Sequence, residues 1–118
     1  MKVGKTFTFE AAHFLPGHPK CGQMHGHSYK VEVIVDGKID EETGMVIDFG
    51  ILSKVMEPII RSLDHKVLNE VLDKGVVPTA ENLVLVIEER VLAGLLHRRM
   101  DGRVRVKVWE TATSWAEL

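Results

Sequence analysis

His25-Gly26-His27 places two imidazoles two residues apart, the spacing that puts both on one face of a β-strand, while Gly26 leaves the opposite face clear. His13 ends an earlier alternating run. If the two runs pair as a long hairpin, it meets the other two at one end of the sheet. Three neutral imidazoles with one open position make a catalytic zinc site, whereas a structural site is closed by a fourth ligand. His18 competes for the same role but falls in the flexible segment between the runs, at the rim.

Cys21 lies in that Gly/Pro-rich segment beside Lys20, Gly22 and Gln23, poor material for a core. A loop thiol near a metal and a basic residue is stabilised as thiolate, hence nucleophilic or basic. Two other readings stay open: a small buried hydrophobe, or a fourth ligand that closes the metal site. Asp64-His65 is a carboxylate next to an imidazole, the pair that fixes a tautomer and activates a thiol, although adjacent Asp-His also occurs in ordinary turns. Glu110 continues the face set by Val104, Val106 and Val108. A carboxylate there either sits in water past the strand end or needs a partner with two adjacent N–H donors. Glu81, in the first turn of a helix, is stabilised by the helix dipole without any ligand.

The elements that must position these groups follow from periodicity. Residues 3–13 alternate, with Phe7, Phe9, Ala11 and His13 on one face and Thr6, Thr8, Glu10 and Ala12 on the other. Pro16, Gly17, Pro19 and Gly22 break the chain, and alternation resumes at residue 25 with His25, His27, Tyr29, Val31, Val33 and Val35 on one side. Turn signals at Asp36-Gly37 and Glu42-Thr43-Gly44 lead to a helix near 49–63, capped by Asp48 and kinked or broken at Pro58. A second helix is expected over 80–98, capped by Thr79 after Pro78. Met100-Asp101-Gly102 turns into a strand over 103–108, and a last short strand covers 114–118. The expected fold is a single α+β domain over 1–118. It has an antiparallel four-stranded sheet in the order ββααββ, with both helices on one face and open edges that favour oligomers.

Bulk properties narrow the function classes. With 118 residues, 45% hydrophobic and 27% charged, the chain suits one ordered domain with a modest core. A net charge of −2 gives no footprint for nucleic acid. The basic group His97, Arg98, Arg99, Arg103, Arg105 and Lys107 reads as a solvated helix end and strand face, or as an oligomer contact. No secretory leader and no membrane-spanning run is present, so a cytoplasmic location is expected. One cysteine excludes an internal disulfide.

In order along the chain, Phe7-Thr8-Phe9-Glu10-Ala11-Ala12-His13, Cys21-Gly22-Gln23-Met24-His25-Gly26-His27-Ser28, Gly44-Met45-Val46-Ile47-Asp48-Phe49, Leu63-Asp64-His65 with Leu68-Asn69, Pro78-Thr79-Ala80-Glu81-Asn82, and Glu110-Thr111 resemble the 6-pyruvoyl-tetrahydropterin synthase superfamily. Within it they are most similar to the 6-carboxytetrahydropterin synthases of the queuosine pathway. The resemblance implies a tunnelling fold, in which sheets of several subunits join into a barrel, commonly a hexamer of two stacked trimers with active sites between subunits. It implies 7,8-dihydroneopterin triphosphate as substrate and Zn2+ on His13, His25 and His27. It further implies proton transfer by Cys21, Asp64 and His65, and pterin binding by Glu110, with Thr79 and Glu81 as further substrate contacts.

The three-residue gap between Cys21 and His25 is like that of the carboxytetrahydropterin synthases. Pyruvoyl enzymes, the alternative, have a longer gap. Relatives that cleave the substrate to a hydroxymethyl pterin carry Glu where Gln23 and Met24 stand here. Residues 112–116 lack the second cysteine of some relatives. A non-catalytic zinc or pterin-binding module is the contrasting class; the joint presence of Cys21, Asp64, His65 and Glu110 argues against it, since a structural metal site requires none of the last three.

Overall fold

The computed structural model describes residues 1–98 and 102–118. Its elements are β1 (Lys2–His13), β2 (His25–Gly37), α1 (Phe49–Leu63), β3 (Lys66–Val67), α2 (Leu68–Val71), α3 (Ala80–Leu95), β4 (Gly102–Trp109) and β5 (Trp115–Glu117). They form one sheet in the order β3-β1-β2-β4-β5. Every pairing is antiparallel except that of β3 with β1. Arg99, Met100 and Asp101, part of the expected basic group and turn, lie outside the described residues.

Alternation decides which face is covered. Phe9, Ala11, Tyr29, Val31, Val33, Val35, Val104, Val106 and Val108 are all buried. Against them pack Leu52, Met56, Ile59 and Leu63 of α1, and Leu83, Ile87, Val91 and Leu95 of α3. The two helices touch so closely that a Cβ at Gly94 would lie 2.7 Å from Val55 Cγ1. Thr6, Thr8, Glu10, Ser28 and Lys30 face outward from the helix-free side. The radius of gyration is 15.3 Å, above the roughly 13.5 Å of a compact chain this long, because the paired β1 and β2 draw the molecule out to 53 Å.

Three expectations need correction. The sheet has five strands and is mixed, since Lys66–Val67 adds in parallel to Ala11–Ala12, and α2 follows it at once. Two residues have no visible periodicity; this strand exists because the turn after α1 lays the chain along β1. Helix α1 is not broken at Pro58, which lies on its exposed face together with Lys54. The carbonyl that the proline leaves without a donor therefore faces water. Helix α3 stops at Leu95, short of the expected 98, and Leu96 N–H and Arg98 N–H bond three residues back, to Ala93 O and Leu95 O. Asp48 and Thr79 do cap their helices, accepting from Gly50 N–H and Asn82 N–H.

The sheet edges are treated unequally. Among the described residues, β1 has no strand partner on its outer side before Ala11. On the far side β5 covers only Lys107–Trp109. Just beyond that cover, the side chain of Glu88 on α3 accepts from Val106 N–H at 3.1 Å and from Arg105 at 3.3 Å.

Candidate metal centre

Antiparallel register brings the histidines together: His13 stands directly opposite His25, and His27 opposite Ala11. All three project from the helix-covered face at the end of the sheet, and their ligand atoms lie within 4.8 Å of one another. His13 is fully buried. Tyr29 closes the floor beneath His13 and His27, its ring stacked on Phe9.

Backbone carbonyls set the tautomers. His13 Nδ1 is 2.8 Å from Pro78 O, and His25 Nδ1 is 2.7 Å from Gln23 O. A carbonyl only accepts, so both Nδ1 atoms carry the proton and both Nε2 atoms present lone pairs. Those two Nε2 atoms are 3.0 Å apart. With both Nδ1 protonated, neither has a proton to give the other. His27 Nε2 is buried without any hydrogen-bond partner. Burial holds its pKa below the ordinary value, with His13 and His25 adding to that effect and Glu110 opposing it. Two lone pairs and the unpartnered Nε2 of His27 thus converge, an arrangement that suits a cation. The donor set and its carbonyl-anchored outer shell fit a metal that takes imidazole ligands. Burial also pushes the Tyr29 phenol up, with help from Glu110, so it stays protonated.

Glu110 lies at the same end of the same face, its Oε1 3.7 Å from His27 Nε2 and about a quarter exposed. It has not run out into water. Cys21 is half-buried and is not among the three converging groups. His18 is no competing ligand either: its Nδ1 accepts from Cys21 N–H at 2.8 Å and Lys20 N–H at 3.2 Å. The start of that loop is held by Asn69, which accepts from Phe14 N–H and donates to Phe14 O, both at 2.9 Å.

Asp64 and His65 do bond each other, Oδ2 to Nδ1 at 2.8 Å. Asp64 Oδ1 accepts from Glu10 N–H, and that bond, followed by the one from His65, holds the carboxyl below its ordinary pKa. His65 takes a left-handed backbone at φ 56°. Its ring is 78% exposed and borders a groove of about 430 Å³ with Glu10, Ala12, Gly26, His27, Ser28 and Lys66, mostly residues of the helix-free face. The pair is thus built across the sheet from the histidines. Thr79 is occupied in capping α3. Glu81 borders a small cleft with Leu85 and the chain end at Ala116–Leu118. Sequence reasoning missed Pro78 O and Gln23 O, because any residue type supplies a carbonyl.

An α+β chain with a long antiparallel hairpin, helices on one face and three imidazoles placed to hold a metal at the sheet end defines a narrow class. Residues 2–118 match the family model described as 6-pyruvoyl tetrahydropterin synthase, and the chain belongs to that family. It is 41% identical over 118 residues, 100% of this chain and 95% of the other, to a provisionally named 6-carboxy-5,6,7,8-tetrahydropterin synthase of Archaeoglobus fulgidus. It is 40% identical to the 6-carboxy-5,6,7,8-tetrahydropterin synthase of Synechocystis, over 97% of this chain and 89% of that one. A Pyrococcus furiosus protein named dihydroneopterin monophosphate aldolase is 36% identical over 87% of this chain and 83% of its own. Among solved structures, Caenorhabditis elegans 6-pyruvoyl tetrahydropterin synthase superposes with a TM-score of 0.88 at 25% identity, covering 100% of this chain and 94% of that one. No described helix is long and apolar enough to cross a membrane.

Proposed function

We propose that the chain, acting as one domain over 1–118, is a zinc-dependent 6-carboxy-5,6,7,8-tetrahydropterin synthase. Its substrate is 7,8-dihydroneopterin triphosphate, and its product feeds a queuosine-type modified-base pathway in the cytoplasm. The observation that carries this reading is the convergence of three imidazoles beside Glu110 on one face. The similarity to named carboxytetrahydropterin synthases supports the choice of product.

His13, His25 and His27 hold the metal. Bound zinc supplies Lewis acidity toward the hydroxyls of the substrate side chain and the carbon acid beside them. Glu110 binds the pterin through its two-donor edge, a bidentate contact that an ionised carboxylate makes best. Thr79 and Glu81 are secondary substrate contacts. Cys21 moves protons at the substrate side chain. Asp64 holds His65 Nδ1–H and leaves His65 Nε2 free to take or give a proton.

Because His65 opens on the helix-free face, it works with Cys21 of another protomer. The unpaired outer side of β1 and the drawn-out shape support assembly through sheet edges, as a hexamer of two trimers closing a barrel. Two inactive variants, Cys21→Ala and His65→Ala, should regain activity when mixed and reassembled. A monodisperse active monomer contradicts the assembly.

The reaction itself is tested by incubating the zinc-loaded protein with 7,8-dihydroneopterin triphosphate and identifying the product by mass spectrometry. A carboxytetrahydropterin is expected. A pyruvoyl tetrahydropterin would select the alternative, and a hydroxymethyl pterin would show cleavage of the side chain instead. Tight pterin binding with no conversion would leave a non-catalytic binding module.

A further inference from the structure

The segment from Phe14 to Met24 carries Cys21, yet it contains no helix or strand to hold that residue in place. What holds it is a small closed network. Leu15 N–H donates to Cys21 O at 2.7 Å, His18 N–H to Leu15 O at 3.1 Å, and Gly22 N–H to His18 O at 3.0 Å. At its centre the His18 ring turns back on its own chain, and Nδ1 accepts from both Lys20 N–H and Cys21 N–H.

The sequence explains why these two donors are the ones taken. Pro19 has no N–H, so the first free donors after His18 are those of Lys20 and Cys21. Proline also restricts His18 to an extended backbone, the conformation from which a side chain can bend forward over the next residues. The imidazole does here what Asp or Asn does in a side-chain-capped turn. Gly22 closes the network from the other side, where a Cβ would come within 2.5 Å of His18 O. Any larger residue at 22 forces that carbonyl away.

We propose that His18 is a positioning residue: its neutral ring fixes the backbone of Cys21 and so aims the thiol, without touching substrate or metal. This rests on the proton-transfer role given to Cys21 above. The test uses the zinc-loaded assembly and three variants: His18→Ala, His18→Asn and Cys21→Ala. Asn retains an oxygen that can accept from both N–H groups; Ala retains nothing.

In His18→Ala, amide exchange read by mass spectrometry over residues 18–24 should quicken about tenfold at each of the Lys20 and Cys21 amides, since each loses one hydrogen bond worth about a decade. Turnover should fall by a similar factor or more, with zinc content unchanged. His18→Asn should restore both to within about threefold of the parent, a rescue that a volume-filling role would not predict. Undiminished protection and turnover in His18→Ala, or failure of Asn to rescue, overturns the proposal. Cys21→Ala keeps the backbone N–H, so its amide should stay protected whatever its turnover. Active Cys21→Ala with normal protection would therefore refute the thiol's role while leaving the network intact.

Discussion

The two clusters of titratable groups in this molecule are built by opposite means. The histidines at the end of β1 and β2 are set by strand register, sunk against Tyr29 and Phe9, and oriented by carbonyls from two separate segments. Asp64 and His65 are neighbours in sequence, held by one turn with a left-handed residue, and the His65 ring is largely open to solvent. A part-buried cluster locked by register and backbone carbonyls is complete in itself and wants only a small cation. An exposed pair on the bare face is half of something, and gains a purpose when another surface covers it.

The largest expected effect separates the two. His25→Ala should lower metal content from about one zinc per chain to a small fraction and abolish turnover, while the fold persists on its apolar core. Full occupancy by elemental analysis would dissolve the first cluster as a metal centre. His65→Ala should leave metal content unchanged and reduce kcat about 10²- to 10⁴-fold, the usual share of a general acid–base group. Simultaneous loss of metal would mean the clusters are not independent.

Glu110→Gln sharpens the description of the first cluster. An acceptor becomes a donor facing donors, so pterin should bind about 1.5–3 kcal/mol more weakly with zinc retained. Unchanged affinity by calorimetry would return Glu110 to a purely electrostatic partner of His27.

The smallest effect concerns acid stability. The folded-state pKa of Asp64 is depressed, so its stabilisation is present above the unfolded carboxyl value of about 3.9 and is lost as pH falls through the lower folded value. Melting temperatures of metal-free parent and Asp64→Asn should therefore differ at neutral pH and converge below about pH 4. A constant gap down to pH 2.5 would show that the carboxylate's charge is irrelevant to the turn.

This contrast also explains what could be read from the sequence. Alternation marked the inner face from Phe9 to His13 and from His25 to Val35, and that alone placed three imidazoles on one side. Face and strand end follow from side-chain type and period. Edge pairing does not: Lys66–Val67 joins the sheet through backbone groups that every residue owns, so the fifth strand and the mixed character stayed hidden. The same holds for the carbonyls of Pro78 and Gln23. Asp64 and His65 bond each other in a turn where His65 takes a positive φ, and adjacency in sequence signals neither. Pro58 misled because a proline's cost depends on whether its turn of helix faces water.

The carboxylate of Glu88 has a meaning beyond the native state. Val104, Val106 and Val108 alternate along β4, and a strand of that pattern with a bare outer edge is a template for stacking against its own kind. Beyond the short cover of β5, the next inward N–H is claimed by a side chain from a helix that precedes the strand in the chain. On a growing polypeptide the guard is therefore made before the strand it protects. Synthesis order and edge chemistry agree, and the time in which this edge can seed aggregates is kept short.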